Sequence, residues 1–166
     1  AKQLGENKYA GFNALLFDGQ QLVYCHNQTS MHRENPMYQV LPPGKYGLSN
    51  HLLNTQWPKV QKTKQALSQI IHRQPHKSIA ENLLKALQNQ EVANDAQLPD
   101  TGIGLDLERL LSPAFISSPS YGTRTSTVVL INKQTNNTAE IYFHERQYLG
   151  GANHFEETIT TFTSTS

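Results

Sequence analysis

The sequence is poor in cysteine, in net charge and in long apolar runs. Its 166 residues contain one cysteine, Cys25, which excludes an internal disulfide and any multi-cysteine zinc or iron–sulfur site. Lys and Arg number 14 against 13 Asp and Glu, and the resulting net charge of +1 argues against a general electrostatic grip on nucleic acid. No apolar run approaches the roughly 18 residues of a membrane-spanning helix, so we predict no transmembrane segment. The length fits one domain over residues 1–166.

The N-terminal third has the pattern of a small antiparallel sheet. Residues Tyr9 to His26 form two apolar and aromatic runs on either side of Asp18-Gly19, a favoured turn dipeptide, and this predicts a hairpin. Met37 to Leu41 is a further short strand that must stop at Pro42-Pro43, because proline cannot donate to a strand ladder. We place Asn50 at a strand end that opens toward a loop.

Helices are predicted in the middle of the chain. Trp57-Pro58 starts the first, since proline is tolerated at the first helical position, and Pro75 ends it. Ser78 with Glu81 three residues later has the pattern of a capping box and predicts a second amphipathic helix. A short helical piece spans Leu105 to Leu111, within a polar excursion of the kind that often forms a binding loop.

Strands return in the last third. Ser126 to Ile131 is rich in β-branched residues and apolar on both faces, and it is the clearest strand in the sequence. A turn leads back into Thr138 to Gln147, and the alternating tail Glu156 to Ser166 suits an edge strand. The sequence has no internal repeat, and its order of elements predicts the α+β class.

The seven histidines and the cysteine show no ligand spacing. His72 and His76 are four apart, but Pro75 breaks the helix that would place them on one face, so they are not a zinc pair. We therefore predict no metal site. Cys25 and His26 are neighbours on a strand and point to opposite faces, so Cys25 is best explained as a small buried hydrophobe.

Two segments favour chemistry. Ser49-Asn50 follows a glycine turn, where the Asn50 amide is placed to donate to a developing oxyanion or a bound carbonyl; the alternative is an ordinary Asn turn or cap. Arg124 stands at the mouth of the strongest strand, among hydroxyl residues. An arginine at the entrance of a buried strand requires either an ion pair or an anionic ligand.

These segments also carry a family resemblance. The motifs Tyr9–Asn13, Gly44–Asn50, Trp57–Lys59, Ala96–Asp100, Tyr121–Thr127 and Glu145-Arg146 occur in one order, and together they resemble the transport and Golgi organisation protein 2 family, also called the NRDE family. The resemblance implies a four-layer αββα sandwich of the N-terminal nucleophile (Ntn) hydrolase type, with antiparallel sheets. It also implies a cytoplasmic protein, mitochondrial or Golgi-associated in a eukaryote, linked to intracellular haem trafficking and to secretory organisation.

The chain departs from that family pattern in one respect. The family opens with a Cys directly after the initiator Met and carries an Asn-Arg-Asp-Glu motif soon afterwards, and neither occurs here. We therefore expect the chain to be the C-terminal part of the sandwich, lacking an N-terminal segment. By a looser similarity to choloylglycine hydrolases and penicillin V acylases, Asn50 would match the oxyanion Asn and Arg124 the late Arg of those enzymes, while the nucleophile has no counterpart.

Three function classes stay open at this point. The first is a haem chaperone or transporter, with no required cofactor and with haem as the transported ligand. The second is an Ntn-type amidase or acyl hydrolase whose nucleophile lies in the missing segment. The third is a non-catalytic interaction domain that pairs with that segment or with a second copy of the chain. The residues predicted to bind the ligand are Asn13, Ser49, Asn50, Trp57, Tyr121, Thr123, Arg124 and Ser126.

Overall fold

The structure, a computed structural model, describes residues 11–27, 38–71, 75–134 and 138–165. The chain divides into two units, Ala1–Thr55 and Gln56–Ser166, and we describe each by itself.

The first unit contains a three-stranded antiparallel sheet. Its strands are β1 (Asn13–Phe17), β2 (Leu22–His26) and β3 (Tyr38–Leu41), in the order β1-β2-β3. The predicted hairpin is confirmed: Leu15 pairs with Tyr24 and Phe17 with Leu22. Asp18 closes the turn by accepting backbone N–H groups two and three residues on, at 2.8 and 2.7 Å, and Gly19 has a φ of 94° that glycine adopts without strain.

The loop after β3 corrects the expected position of Asn50. β3 ends at Leu41, before the two prolines as predicted, and Asn50 lies nine residues beyond it in a bend rather than at a strand end. Asn54, at φ 60°, organises this loop: its N–H donates to the Gly47 carbonyl at 2.7 Å, and its Oδ1 accepts the Gly47 N–H at 3.0 Å. The prediction was wrong because this Asn–Gly exchange, rather than strand pairing, sets the path of the backbone.

The second unit begins with helices. They are α1 (Pro58–Ile70), α2 (His76–Leu87) and α3 (Leu105–Leu111), with a short 3-10 turn at Asp95–Gln97. The predicted start of α1 is confirmed, although the helix ends at Ile70, before Pro75. The capping box is wrong: Pro75 is the N-cap of α2, so Ser78 already lies inside the first turn and makes no side-chain cap. His76 opens α2, and His72 lies outside the described residues.

A second antiparallel sheet follows, with strands β4 (Thr125–Lys133), β5 (Thr138–Tyr148) and β6 (Phe155–Thr165) in the order β4-β5-β6. The tail strand β6 therefore lies at an edge, as predicted. α2 packs on one face, where Ala80 and Leu84 bury themselves against Val128. Val129 and Ile131 point to the other face and are 50% and 43% exposed, so β4 is apolar on both faces, while α2 covers one of them. The alternation of a strand gives α2 only every second residue to cover.

The α+β class is confirmed by two three-stranded antiparallel sheets and three α-helices in the described residues. The four-layer Ntn-hydrolase arrangement and the single domain over residues 1–166 stay predictions. Among the described residues, no helix has both the length and the apolar character required to cross a bilayer.

Candidate functional site

The second unit contains a cleft of about 500 Å³ at the entrance to β4, which we call the Arg124 cleft. One wall is the loop from Phe115 to Arg124, and the other is the end of β5 with its following turn, Gln147 to Gly151. The cleft thus lies where the sequence placed an arginine among hydroxyl residues.

A small hairpin-like bridge holds the first wall in place. Ser117 pairs with Gly122, the Thr123 N–H donates to the Ile116 carbonyl at 2.9 Å, and the Thr123 hydroxyl accepts the Ile116 N–H at 2.9 Å. A Cβ at Gly122 would lie 3.0 Å from the carbonyl oxygen of Ile116, a backbone atom that cannot move aside cheaply. The close approach of two backbones therefore favours glycine at this position.

Arg124 joins the two walls through its backbone and leaves its side chain free. Its carbonyl accepts the N–H of Tyr148 at 2.8 Å, which ties the loop to the end of β5. The side chain is exposed and forms no ion pair with any described residue. Of the two predicted roles, the ion pair is therefore not found among the described residues, and the anionic ligand stays a prediction. Arg124 is an exposed cation at the rim of the cleft.

Aromatic side chains form the base of the cleft. Phe115 and Tyr148 are 1% and 5% exposed, and their rings meet edge to face with centroids 4.7 Å apart. The ring of Tyr148 also contacts that of Phe155, with centroids 5.9 Å apart. The buried Tyr148 hydroxyl has no hydrogen-bond partner among the described residues. Such an unsatisfied group costs about 1–3 kcal/mol unless a water or a ligand atom satisfies it.

The cleft collects only part of the predicted ligand-binding set from the second unit. Thr123 and Arg124 line it, whereas Tyr121 is 56% exposed and lies outside its lining. Ser126 is 7% exposed within β4, and Trp57 precedes α1 with the Lys59 ammonium 5.7 Å from its ring centroid.

The other predicted residues, Asn13, Ser49 and Asn50, belong to the first unit. Asn13 has a structural role, because its Oδ1 accepts the Tyr24 hydroxyl at 2.6 Å. Ser49 is half-buried, and the exposed Asn50 makes no hydrogen bond to the described residues. The ordinary role proposed for an asparagine in this loop therefore belongs to Asn54, and the Asn50 amide is available to a ligand.

The sequence interpretation missed Phe115, Tyr148 and the glycines of the β5–β6 turn. The sequence does contain one signal, the pair Gly150-Gly151, which is typical of a turn. In the structure these glycines have φ values of 156° and 120°, which few other residues adopt. Cys25 is 2% exposed within β2, in agreement with its interpretation as a buried hydrophobe.

A charged cluster lies beneath α2, on the same face of the second sheet as Tyr148 and Phe155. Glu81 of α2, His144 of β5 and Glu157 of β6 bring three metal-ligand atoms within 4.8 Å of one another. The guanidinium of Arg146 already binds both carboxylates, Nε to Glu157 and Nη2 to Glu81, each at 2.7 Å. Arg146 thereby supplies the positive charge that a metal ion would bring, so we interpret the cluster as an ion network that fastens α2 to the sheet.

Electrostatics around this network are consistent with that role. The hydrogen bond from Arg146 lowers the pKa of Glu157 below its ordinary value of 4.5, and His144, whose Nε2 lies 3.2 Å from the same carboxylate, acts in the same direction. Burial raises the pKa of Tyr142, and the charges of Glu81 and Glu157 add to this effect. Residues from three separate elements form the network, which is why no spacing in the sequence revealed it.

Comparison with known proteins places the chain in a family. A family model described as Transport and Golgi organisation 2 matches residues 1–150. The Transport and Golgi organization protein 2 homologs of Bos taurus and Homo sapiens are 36% and 34% identical over 157 and 171 residues, which cover 86% and 93% of this chain. A Mus musculus homolog is 33% identical over 156 residues.

The chain belongs to the Transport and Golgi organisation 2 family. It spans about half the length of these curated relatives, 52% of the Bos taurus protein and 57% of the Homo sapiens protein. No solved structure matches it significantly.

Both candidate segments, Tyr121–Thr127 and Gly44–Asn50, are among the motifs that carry the family resemblance. The segment Tyr121–Thr127 contains three residues of the cleft lining, Gly122, Thr123 and Arg124, and it leads into β4. The segment Gly44–Asn50 forms the loop that presents the free amide of Asn50. Both family segments therefore present polar side chains outside the regular elements.

Proposed function

We propose that this member of the Transport and Golgi organisation 2 family handles haem as a cargo, and that the Arg124 cleft receives it. One observation carries the proposal: a guanidinium without an ion pair among the described residues stands at the rim of a cleft whose base is aromatic. Haem combines a flat apolar ring with two carboxylates. Arg124 suits a carboxylate, and the exposed Leu149 and half-buried Ile116 are the apolar side chains of the lining that can contact the ring. The cytoplasmic location implied by the resemblance belongs to the same proposal.

Arg124 supplies the polar half of this match. A guanidinium donates two parallel hydrogen bonds to one carboxylate, which fixes the orientation of the ligand as well as holding it. Because the Arg124 side chain has no ion pair to give up among the described residues, a propionate gains this contact without breaking one inside the protein.

The lining also determines how haem would be held. None of the residues that line the Arg124 cleft is His, Met or Cys, and Tyr148 is the one lining residue that belongs to a type known to ligate haem iron. Because the Tyr148 side chain is buried, binding in this cleft relies on Arg124 and on the apolar lining residues rather than on a strong iron bond. That mode suits a carrier, which must release its cargo to an acceptor.

A haem titration tests the proposal. Absorbance of haem should change saturably with the wild-type chain, without the spectrum of a bis-histidine complex. Arg124→Gln should weaken binding about tenfold, the equivalent of one charge-assisted hydrogen-bond pair, and Arg124→Lys should recover part of the loss. Lys133→Gln, which removes the same charge at the far end of β4, should bind as wild type.

Two results would remove the haem proposal. One is the absence of a saturable spectral change with the folded wild-type chain. The other is equal affinity of the wild type and Arg124→Gln.

A second candidate is an Ntn-type amidase or acyl hydrolase that acts on C–N amide bonds. The observation that favours it is the exposed Asn50 amide, which forms no hydrogen bond to the described residues and is thus free to donate to an oxyanion. Cys25 cannot be the nucleophile because it is buried, and the family's N-terminal Cys is not among these 166 residues.

The hydrolase candidate is tested on a full-length protein that contains the N-terminal Cys. A thiol-directed acyl probe should label that cysteine, and Asn50→Ala should lower turnover by about 10²–10³. A folded full-length protein that takes up no probe would eliminate the hydrolase.

A further inference from the structure

A second cleft, of about 370 Å³, lies between α1 and the C-terminal end of α2, and it shares no lining residue with the Arg124 cleft. Lys59 and Lys62 of α1 and Lys85 of α2 line it, together with Glu91 and the backbone turn at 112–114. We call it the lysine cleft.

The lysine cleft carries an excess of positive charge. Its lining includes three lysines and one acidic residue, Glu91, for a net charge of +2. Glu91 pairs with Lys62 at 2.7 Å in an exposed contact. Lys85 forms no ion pair with any described residue, and the Lys59 ammonium donates to the carbonyl of Leu111 at 2.7 Å. Lys59 and Lys85 thus line the cleft without an ion pair to any described residue, although the charge of Glu108 acts on Lys59.

A purely structural role explains part of this arrangement. Lys59 satisfies the last carbonyl of α3, and Lys85 in the final turn of α2 offsets the negative end of that helix dipole. Neither role uses more than one of the three N–H donors that an ammonium has. Burial lowers the pKa of Lys59, and the charge of Glu108 offsets only part of this effect. This direction is expected of an ammonium whose positive charge its surroundings do not fully compensate.

We propose that the lysine cleft binds a compact oxyanion with two negative charges, either a phosphate ester or a dicarboxylate. Lys59 and Lys85 lie on different helices and form no ion pair among the described residues, so their remaining N–H donors approach the cleft from two elements. A doubly charged anion satisfies two such groups better than a single carboxylate does. Ala66, Ala86 and Pro113 contribute apolar surface to the same lining, which leaves room for a small organic group.

Calorimetric titration of the 166-residue chain at low ionic strength tests the site. The probes are inorganic phosphate, phenyl phosphate and succinate, with acetate as the singly charged control. At least one doubly charged probe should bind saturably and acetate should not. Tighter binding of phenyl phosphate than of phosphate identifies an ester site, and preference for succinate identifies a dicarboxylate site; both outcomes support the proposal.

Charge-matched variants locate the binding. Lys59→Gln and Lys85→Gln should each weaken binding about fivefold or more. Lys77→Gln removes the same charge from the other end of α2, and Arg124→Gln removes it from the Arg124 cleft; both should stay within about twofold of wild type. Lys85 is exposed, so this variant tests the site even where Lys59→Gln perturbs folding. Affinity should fall as rising pH deprotonates Lys59.

Three outcomes would overturn the inference. The first is that no doubly charged probe binds saturably. The second is that Lys77→Gln weakens binding as much as Lys85→Gln, which would indicate a general charge effect. The third is that Arg124→Gln abolishes binding, which would place the anion in the Arg124 cleft. Because the haem proposal is read from Arg124 variants and this one from lysine variants, either can fail without the other.

Discussion

Replacing Arg146 should separate α2 from its sheet. The Arg146 side chain is 10% exposed and binds Glu157 and Glu81 at 2.7 Å each, and its guanidinium carbon lies 4.5 Å from the ring centroid of Phe155. The bond to Glu81 spans 65 positions of sequence, from β5 to α2. In Arg146→Met the apolar stem is retained, while both carboxylates lose their shared cation and face each other.

The magnitude follows from burial. Breaking a buried ion pair by removing one partner costs about 3–5 kcal/mol. The side chains of Glu81 and Glu157 are 39% and 35% exposed, so water recovers part of their solvation and the lower end of the range applies. We expect a loss of about 3 kcal/mol, which for a domain of this size lowers Tm by roughly 6–12 °C.

Urea unfolding followed by circular dichroism measures this loss, and Arg109→Met is the matched control. Arg109 also binds carboxylates through a forked pair, to Asp95 at 2.8 and 2.7 Å, but its side chain is 42% exposed. Exposed pairs contribute about 0–1 kcal/mol, so this control should unfold almost as wild type. Equal losses in the two variants, or a loss below about 1 kcal/mol for Arg146→Met, would refute the argument from burial.

Three further predictions concern acid stability, the loop after β3 and the hairpin-like bridge at the Arg124 cleft. Because the folded-state pKa of Glu157 lies below 4.5, its contribution to the free energy of unfolding is present above that pH and is lost as pH falls through the lowered value. The free energy of unfolding of Glu157→Gln should therefore depend less on pH in the acid range than that of wild type. Identical pH profiles would contradict this. Asn54→Ala should lose about 1 kcal/mol in urea unfolding, since the Gly47 N–H loses its acceptor, while Asn50→Ala should stay within about 0.5 kcal/mol; the reverse order would mean that Asn50 organises the loop. Gly122→Ala should cost about 1–3 kcal/mol because its Cβ would meet the carbonyl oxygen of Ile116 at 3.0 Å, and an unchanged Tm would show that the bridge can open.

Local signals in the sequence were sufficient for several elements. Asp18-Gly19 predicted the first hairpin, because its turn needs a side-chain acceptor followed by a residue free to adopt positive φ, and both are found. Trp57-Pro58 predicted the start of α1 for a similar reason, since proline sets its own backbone angle. The strands β4 to β6 followed from β-branched and alternating residues. Each of these patterns acts within a few residues, where sequence and structure are directly connected.

Other predictions failed where neighbouring residues competed for one role. Ser78 had the pattern of an N-cap, but the N-cap of α2 is Pro75, so Ser78 lies inside the helix. Asn50 was placed at a strand end with an Asn turn as its alternative role, and it is Asn54 that closes the turn through Gly47. In both cases several residues had suitable chemistry, and only the path of the backbone decided which one was used.

The sequence by itself determined the α+β class, the first hairpin, the start of α1, the resemblance to the family, and Arg124 as a residue of interest. Only the tertiary structure decided that Arg124 is exposed at the rim of a cleft, and that Phe115 and Tyr148 form the base of that cleft. It also decided which cations are paired: Arg146 binds two carboxylates, whereas Lys85 binds none among the described residues. The physical reason is range, since turns and caps depend on adjacent residues, while pairing and solvent exposure depend on groups that meet only after the chain has folded.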